Sequence, residues 1–304
     1  MSKINVAIIQ PHWQSTPEAN LENVLNLIDK VGSGVDFLGL PEFFLGPPFY
    51  FPGMDHLKGK IDDTIPGRIT EILAESARKY NMYICGGTIV EKNGDDYYNT
   101  SFLLDNKGAI VGKSRKIHCF AAEMSQIKTG EELTVVDTPF AKIGLCVCSD
   151  FWIQEVPRML ALKGAELLYI SGSSLIQNID LVRPCIWANS INNVCYTLYS
   201  SVVGKVVGKR ADISDFSIEM GGFSTIASPK QIVKTIENQQ AIMTVELDME
   251  LIRDLRKVDV KFKKTLYWCL WGRRPELYKQ IMEPYIGATD SLKDMVTEYL
   301  KSDD

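Results

Sequence analysis

The chain has 304 residues, 45% apolar and 23% charged, with a formal net charge of −5. That composition is of an ordinary globular protein with enough apolar matter for a sizeable core, and one large domain is the expectation. The acidic balance disfavours nucleic acid as a partner, because surfaces that neutralise phosphates are basic. The N-terminus runs straight into the strand-like Asn5-Val6-Ala7-Ile8-Ile9-Gln10 with no basic-apolar-small leader pattern, and no apolar run is long enough to cross a bilayer, so a cytoplasmic location and no membrane partner are expected.

After that strand, Ser15-Thr16-Pro17-Glu18 signals a helix start, and Leu21, Val24, Leu25 and Ile28 recur at helical spacing until Gly32 and Gly34. Val35 to Leu40 reads as a short strand that ends on Pro41-Glu42, which puts a carboxylate at a strand's C-terminal edge. A second helix is expected from about Arg68 to Tyr80, followed by strands over Tyr83–Val90, Tyr97–Leu104 and Ala109–Ile117 with glycine turns. Ala141 to Cys148 reads as a strand, Glu155 to Lys163 as a helix closed by Gly164, and Glu166 to Ser171 as a returning strand. A helix over Ile186–Asn193, a strand from Val194 to Val203, a Gly221-Gly222 turn and strands near Phe223–Ala227 and Ile242–Val245 complete the pattern. Strands that alternate with helices and also form hairpins predict an α/β fold, a mixed sheet covered by helices. Past Leu251 the chain is more charged, so residues 1–250 form the expected domain and 251–304 an extension that caps it or wraps a partner subunit.

Seven cysteines is an odd number, and most sit inside strands or helices, as small buried hydrophobes do in a reducing compartment. Cys148 differs: it ends the apolar strand Lys142–Cys148, and Ser149-Asp150 breaks that strand before a helix. Such a strand-to-turn position exposes a side chain and leaves backbone N–H groups free to hold an oxyanion. Cys146, on the same strand face by the period of two, is its rival. A metal site at Cys146-Val147-Cys148 is disfavoured, since no second Cys or Cys/His pair completes a tetrahedron. Of the three histidines, His118 is a conceivable base for the thiol, while a buried Glu with a raised pKa is the other.

Pro41-Glu42-Phe43-Phe44, Lys116-Ile117-His118, Glu123 followed by Gly130, and Gly144-Leu145-Cys146-Val147-Cys148-Ser149-Asp150 with Glu155 stand in the order and spacing of the carbon–nitrogen (nitrilase-like) hydrolases. The chain resembles that family from Asn5 to about Val245. Leu160–Glu166 is similar to the family's helix-to-strand return, and Arg273-Arg274-Pro275-Glu276-Leu277-Tyr278 to a C-terminal segment of several branches. The resemblance implies a four-layer α-β-β-α sandwich, usually paired as a homodimer through helices beside the active site, with no cofactor and no metal. It implies Glu42 as general base, Lys116 as cationic stabiliser, Cys148 as nucleophile and Glu123 as the acid that positions substrate or proton. Ser149, Trp152 and Phe43 are then the expected substrate contacts, and the substrate a small amide, a nitrile or a carbamoyl compound.

The chain departs from the family pattern where Gln154 precedes Glu155 in place of proline, and where Asn189-Ser190-Ile191-Asn192-Asn193 replaces a stretch that carries Arg and Glu. Phe43, Phe44, Phe49, Tyr50, Phe51 and Trp152 lie near the motif positions, and an aromatic pocket of this kind would favour neutral or cationic substrates. The alternative is that these rings pack in the core and that Arg183 or Lys205 reaches the site from another loop.

Overall fold

In a computed structural model of the chain, described over residues 2–208, 216–261 and 263–282, the strands are β1 (Lys3–Gln10), β2 (Phe37–Gly39), β3 (Asp62–Asp63), β4 (Tyr83–Asn93), β5 (Asp96–Leu104), β6 (Ile110–Arg115), β7 (Val135–Asp137), β8 (Lys142–Val147), β9 (Leu167–Ser171), β10 (Tyr196–Ser200), β11 (Val203–Gly208), β12 (Phe216–Gly221), β13 (Thr225–Ser228), β14 (Gln231–Thr235) and β15 (Ala241–Asp248). The helices are α1 (Pro17–Val31), α2 (Arg68–Tyr80), α3 (Glu123–Gln126), α4 (Glu155–Leu162), α5 (Ile179–Asn193), α6 (Met249–Arg256) and α7 (Trp268–Trp271). One sheet runs β15-β1-β2-β4-β5-β6, with β3 paired to β4, and the other runs β14-β13-β10-β9-β8-β7. The strands β1-β2-β4 and β8-β9-β10 are parallel and the outer ones antiparallel.

The alternation of side chains along each strand builds the layers. On β1, Ile4, Val6 and Ile8 face the second sheet, where they meet Ile143 and Leu145 of β8, Leu167 and Tyr169 of β9 and Leu198 of β10, while Ala7 and Ile9 face helices α1 and α2. On β9, Leu168 and Ile170 turn outward to Val156 and Leu160 of α4 and Val182 and Ile186 of α5. Strands buried on both faces therefore read as continuous apolar runs. The result is the four-layer α-β-β-α sandwich. At its centre the Tyr169 ring crosses to the first sheet and its hydroxyl donates to Leu40 O at 2.7 Å. A Cβ on Gly39 would lie 2.1 Å from that ring, so only glycine admits the crossing.

The helix limits follow local chemistry. Thr16 caps α1 by accepting from Ala19 N at 3.2 Å, with Pro17 opening the first turn. Helix α5 begins at Ile179, seven residues before the expected Ile186, and carries Pro184 inside it. Proline inside a helix forgoes one hydrogen bond, and packing of Ile179 and Val182 keeps the preceding turn helical. The expected strand 194–203 is two, β10 and β11, divided at Ser201-Val202, and β11 leaves the sheet to pair with β12. Met249 and Ile252 of α6 enter the inter-sheet core. Beyond it, Trp271 Nε1 donates to Arg256 O at 3.3 Å and Arg158 Nη1 to Cys269 O at 3.0 Å, so the segment just after α6 lies on the sandwich. The remainder of the expected extension, residues 283–304, lies outside the described residues. Among the described residues no helix is long and apolar enough to cross a membrane.

Candidate active site

Parallel strands deliver their carboxyl ends to one place: β2 leads to Glu42, β8 to Cys148 and β9 to Ser173, while β6 leads to Lys116. This is where open α/β sheets characteristically bind ligands.

Glu42 is held by its backbone before its side chain acts. Its N–H donates to Gly172 O at 3.2 Å, Pro41 O accepts from Thr88 N at 3.2 Å, and Phe43 N donates to Thr88 Oγ1 at 3.2 Å. The β4 ladder is irregular between Cys85 and Thr88, and Gly87 there has φ +62°, with a Cβ position 2.1 Å from Pro41 O. The bulge thus turns Thr88 toward the Glu42 loop and only glycine lets the loop approach.

Three of the predicted residues form a buried ionic cluster. Lys116 Nζ lies 3.1 Å from Glu42 Oε1 and 2.7 Å from Glu123 Oε2, and the three residues are at most 3% exposed. Asn99 Nδ2 donates to the same two carboxylates, at 2.7 Å to Glu42 Oε1 and 2.8 Å to Glu123 Oε1. Tyr50 OH donates to Glu123 Oε1 at 3.1 Å and Phe120 N to its Oε2 at 2.9 Å. Burial would pull the Lys116 ammonium down, but the Glu123 and Glu42 charges outweigh it and hold the pKa well above the ordinary lysine value. Burial lifts the Glu42 carboxyl above the usual carboxylate range, with Lys116 opposing and Glu123 adding to the shift.

Cys148 follows β8 at φ +40°, a conformation that strains a residue with a Cβ. Among the described residues six non-glycines have positive φ, and three of them, Phe43, Ala121 and Cys148, stand at or within two positions of Glu42, Glu123 and the thiol. The turn corrects the shared-face reading of Cys146 and Cys148. The strand ends at Val147, so alternation stops, and Cys146 faces Phe151, Val156 and Leu160 in the outer core while Cys148 stays partly exposed. Burial pushes both thiols up; the Glu42 charge adds to the rise at Cys148, and Lys116 opposes it. A thiol held in its neutral form can be activated by a carboxylate beside it. Cys148 Sγ also donates to Ser173 O at 3.7 Å, and the Ser173 hydroxyl donates to Glu42 Oε2.

A second set of contacts joins the two sheets across the site. Asp150, 2% exposed, accepts from His118 N at 2.8 Å, from Ile117 N at 3.2 Å and pairs with His118 Nδ1 at 2.8 Å. Ser149 Oγ donates to His118 O at 2.6 Å. The turn that carries Cys148 is therefore stapled to the residues that follow Lys116. His118 is engaged by Asp150 and is not the partner of the thiol.

The expected substrate contacts fall out differently. Phe43 has its ring buried edge-on to Tyr50 and Phe51, and its carbonyl accepts from Trp13 Nε1 at 2.8 Å. Trp152 is 39% exposed, its ring against Phe151 with centroids 4.6 Å apart. The Ser149 side chain serves the staple, which leaves its N–H, in the first turn after the strand, as its contribution to chemistry. Phe44, Phe49 and Tyr50 are core residues. Arg183 lies 5.8 Å from the centre of the Phe223 ring, and Lys205 lines a separate cavity of about 410 Å³ with Trp13 and His56. Where the family pattern carries Arg and Glu, Asn189 Nδ2 donates to Phe151 O at 3.1 Å and bonds α5 to the turn after Cys148. Sequence reasoning missed Asn99, Ser173 and the hydroxyl role of Tyr50; the one available signal was Asn99, an amide inside an otherwise buried strand end. Among the described residues no group of His, Cys, Asp and Glu has the arrangement of a metal site.

Residues 5–257 match the carbon–nitrogen hydrolase family model. The chain belongs to the carbon–nitrogen hydrolase family. It is 26% identical to the omega-amidase NIT2 of Danio rerio over 273 residues, 84% of this chain and 92% of that protein. It is 30% identical to a nitrilase of Pyrococcus abyssi over 263 residues, 84% of this chain and 94% of that one. Among solved structures, Nit3 of Saccharomyces cerevisiae, a member of branch 10 of the nitrilase superfamily, superposes with a TM-score of 0.74 at 25% identity, covering 87% of this chain and 96% of that one. A carbon–nitrogen hydrolase of Helicobacter pylori superposes at 0.77 with 20% identity, covering 93% and 100%, a likeness of fold. The protein is a carbon–nitrogen hydrolase of amidase or nitrilase type.

Proposed function

We propose that the protein hydrolyses a small linear amide through a thioester on Cys148. The observation that carries this reading is the buried Glu42–Lys116–Glu123 cluster beside the Cys148 thiol on a strained turn. Glu42 takes the thiol proton as Cys148 Sγ attacks the carbonyl carbon. The negative charge that develops on the carbonyl oxygen is met by the Lys116 ammonium and the Ser149 N–H, donors fixed before the reaction begins. The C–N bond breaks as Glu42 returns the proton to the nitrogen, and ammonia leaves. Glu42 then removes a proton from water, whose oxygen attacks the thioester carbonyl; the carboxylic acid departs and Cys148 regains its proton. Glu123 keeps Lys116 charged and in place. Trp152, exposed beside the turn, is assigned to the outer wall of the substrate site, and Phe43 to the support of Glu42.

The same groups would take a nitrile through a thioimidate or a carbamoyl amine through a carbamoyl thioester. Ammonia release from a panel of amides, nitriles and carbamoyl amines, each run beside Cys148→Ala, separates them. We expect primary amides to be turned over fastest and the variant to be silent; a nitrile preferred over its amide would move the assignment to nitrilase.

We also propose a homodimer that pairs through α4 and α5. Met159, Leu162, Leu181 and Trp187 of these helices and Trp152 before them are exposed apolar side chains on the outer layer, next to the site. Light scattering behind size exclusion tests it, a monomer being the contrary result. A cytoplasmic location suits the free cysteines.

A further inference from the structure

Ser173 touches both reacting partners. Its hydroxyl donates to Glu42 Oε2, and its main-chain carbonyl accepts from Cys148 Sγ at 3.7 Å. The two oxygens of Glu42 are divided: Oε1 takes Lys116 at 3.1 Å and Asn99 at 2.7 Å, which leaves Oε2, the one Ser173 holds, for the thiol proton. Ser173 is itself fixed from both sides. Gly172 N donates to Ser200 O at 2.8 Å and Gly172 O accepts from Glu42 N at 3.2 Å, while the Ser174 hydroxyl meets Tyr199 OH at 2.5 Å and Ser174 O accepts from Gly221 N at 2.9 Å.

We infer that Ser173 is a positioning residue of the hydrolysis, its hydroxyl fixing Glu42 Oε2 and its carbonyl anchoring the Cys148 thiol beside that carboxylate. This rests on the reading of Cys148 as nucleophile and Glu42 as its base. A second effect comes with the first: a hydroxyl that donates to a carboxylate favours the charged form. The charged and titratable groups that face Glu42 are Lys116, Glu123, Cys148, Tyr50 and Tyr199; burial keeps the last three protonated. Lys116 and Ser173 therefore act together against the rise that burial and Glu123 impose on Glu42.

The test reads the thiol itself, so it needs no substrate. The rate of iodoacetamide alkylation of the full-length protein is followed against pH and the adduct is located by peptide mass. In Ser173→Ala the midpoint of the acid limb should move up by about one pH unit, the scale of one hydrogen bond to a carboxylate, and Ser173→Thr, which keeps the hydroxyl, should bring it back. Superimposed profiles for Ser173→Ala and wild type, with the adduct on Cys148 in both, overturn the role of Ser173 and leave the nucleophile standing. An adduct on another cysteine in the wild type overturns both.

Discussion

The Lys116 ammonium lies 2.7 Å from Glu123 Oε2 in a pair whose side chains are no more than 4% exposed. Such a pair is a poor source of net stability, because desolvating both charges offsets most of their attraction, but removing one partner strands the other. Lys116→Met leaves the Glu42 and Glu123 carboxylates facing each other in a dry site. It should lower stability by roughly 3–5 kcal/mol in denaturant titrations and reduce kcat by at least about a hundredfold, the loss typical of an oxyanion donor. Adding Glu42→Gln should cost little further activity, since the groups act as a unit. Full additivity of the two losses would dissolve the cluster as a functional unit.

Glu42 works as a base only when ionised, and burial raises its pKa above the ordinary 4.5. Activity should therefore fall as pH drops through a midpoint above that value, with single-proton steepness. Lys116 stays charged and Cys148 stays protonated through the neutral range, so neither supplies this limb. A kcat/KM profile flat down to the ordinary carboxyl range would remove Glu42 from the role.

Asp150 supplies three of the four hydrogen bonds that tie the Cys148 turn to Ile117 and His118. Asn at this position can accept on one oxygen only and turns an N–H₂ toward one of the backbone donors. Asp150→Asn should cost about 1–3 kcal/mol of stability and lower kcat more than it changes KM, because the distance between Lys116 and Cys148 depends on the staple. Equal losses in both constants would point to substrate contact instead.

Much of the site was legible in the sequence because the groups proposed for catalysis sit where strands stop, and strand ends announce themselves through apolar runs that meet Pro41, Ser149 or a turn. Glu42 was read from such a position, Lys116 and Glu123 were named through the family resemblance, and the structure brings the charged atoms of all three together. What escaped were groups whose partners come from distant strands: Asn99 offered only the weak signal of an amide inside a strand and Ser173 none, since a serine after a strand is ordinary until Glu42 lies beside it. The layers were legible for α1, α2, β4 and β8, where periodicity is strong. Helix α5 extends about two turns before the expected Ile186, with Pro184 inside it, because tertiary packing of Ile179 and Val182 outweighs the penalty of an internal proline. The ribbon of β11 and β12 was missed because Lys205, Val207 and Glu219 alternate outward over a pair that lies outside both main sheets.

The inter-sheet contact of Gly39 with Tyr169 gives a prediction of stability alone. Gly39→Ala sets a methyl 2.1 Å from the ring and must displace it, with its hydrogen bond to Leu40 O one residue before Pro41-Glu42. A loss of about 1–3 kcal/mol or more is expected from overpacking, read as a fall in Tm. An unchanged Tm would mean that the ring can swing aside freely.

The central claim is that Cys148 forms the covalent intermediate, and the most direct measurement is the intact and peptide mass of the protein quenched in acid during turnover of a primary amide. The account predicts a mass gain equal to the acyl group, located on the peptide that contains Cys148 and absent in Cys148→Ala. An acyl group on Cys146 or any other residue, or steady-state turnover by Cys148→Ala, would contradict it.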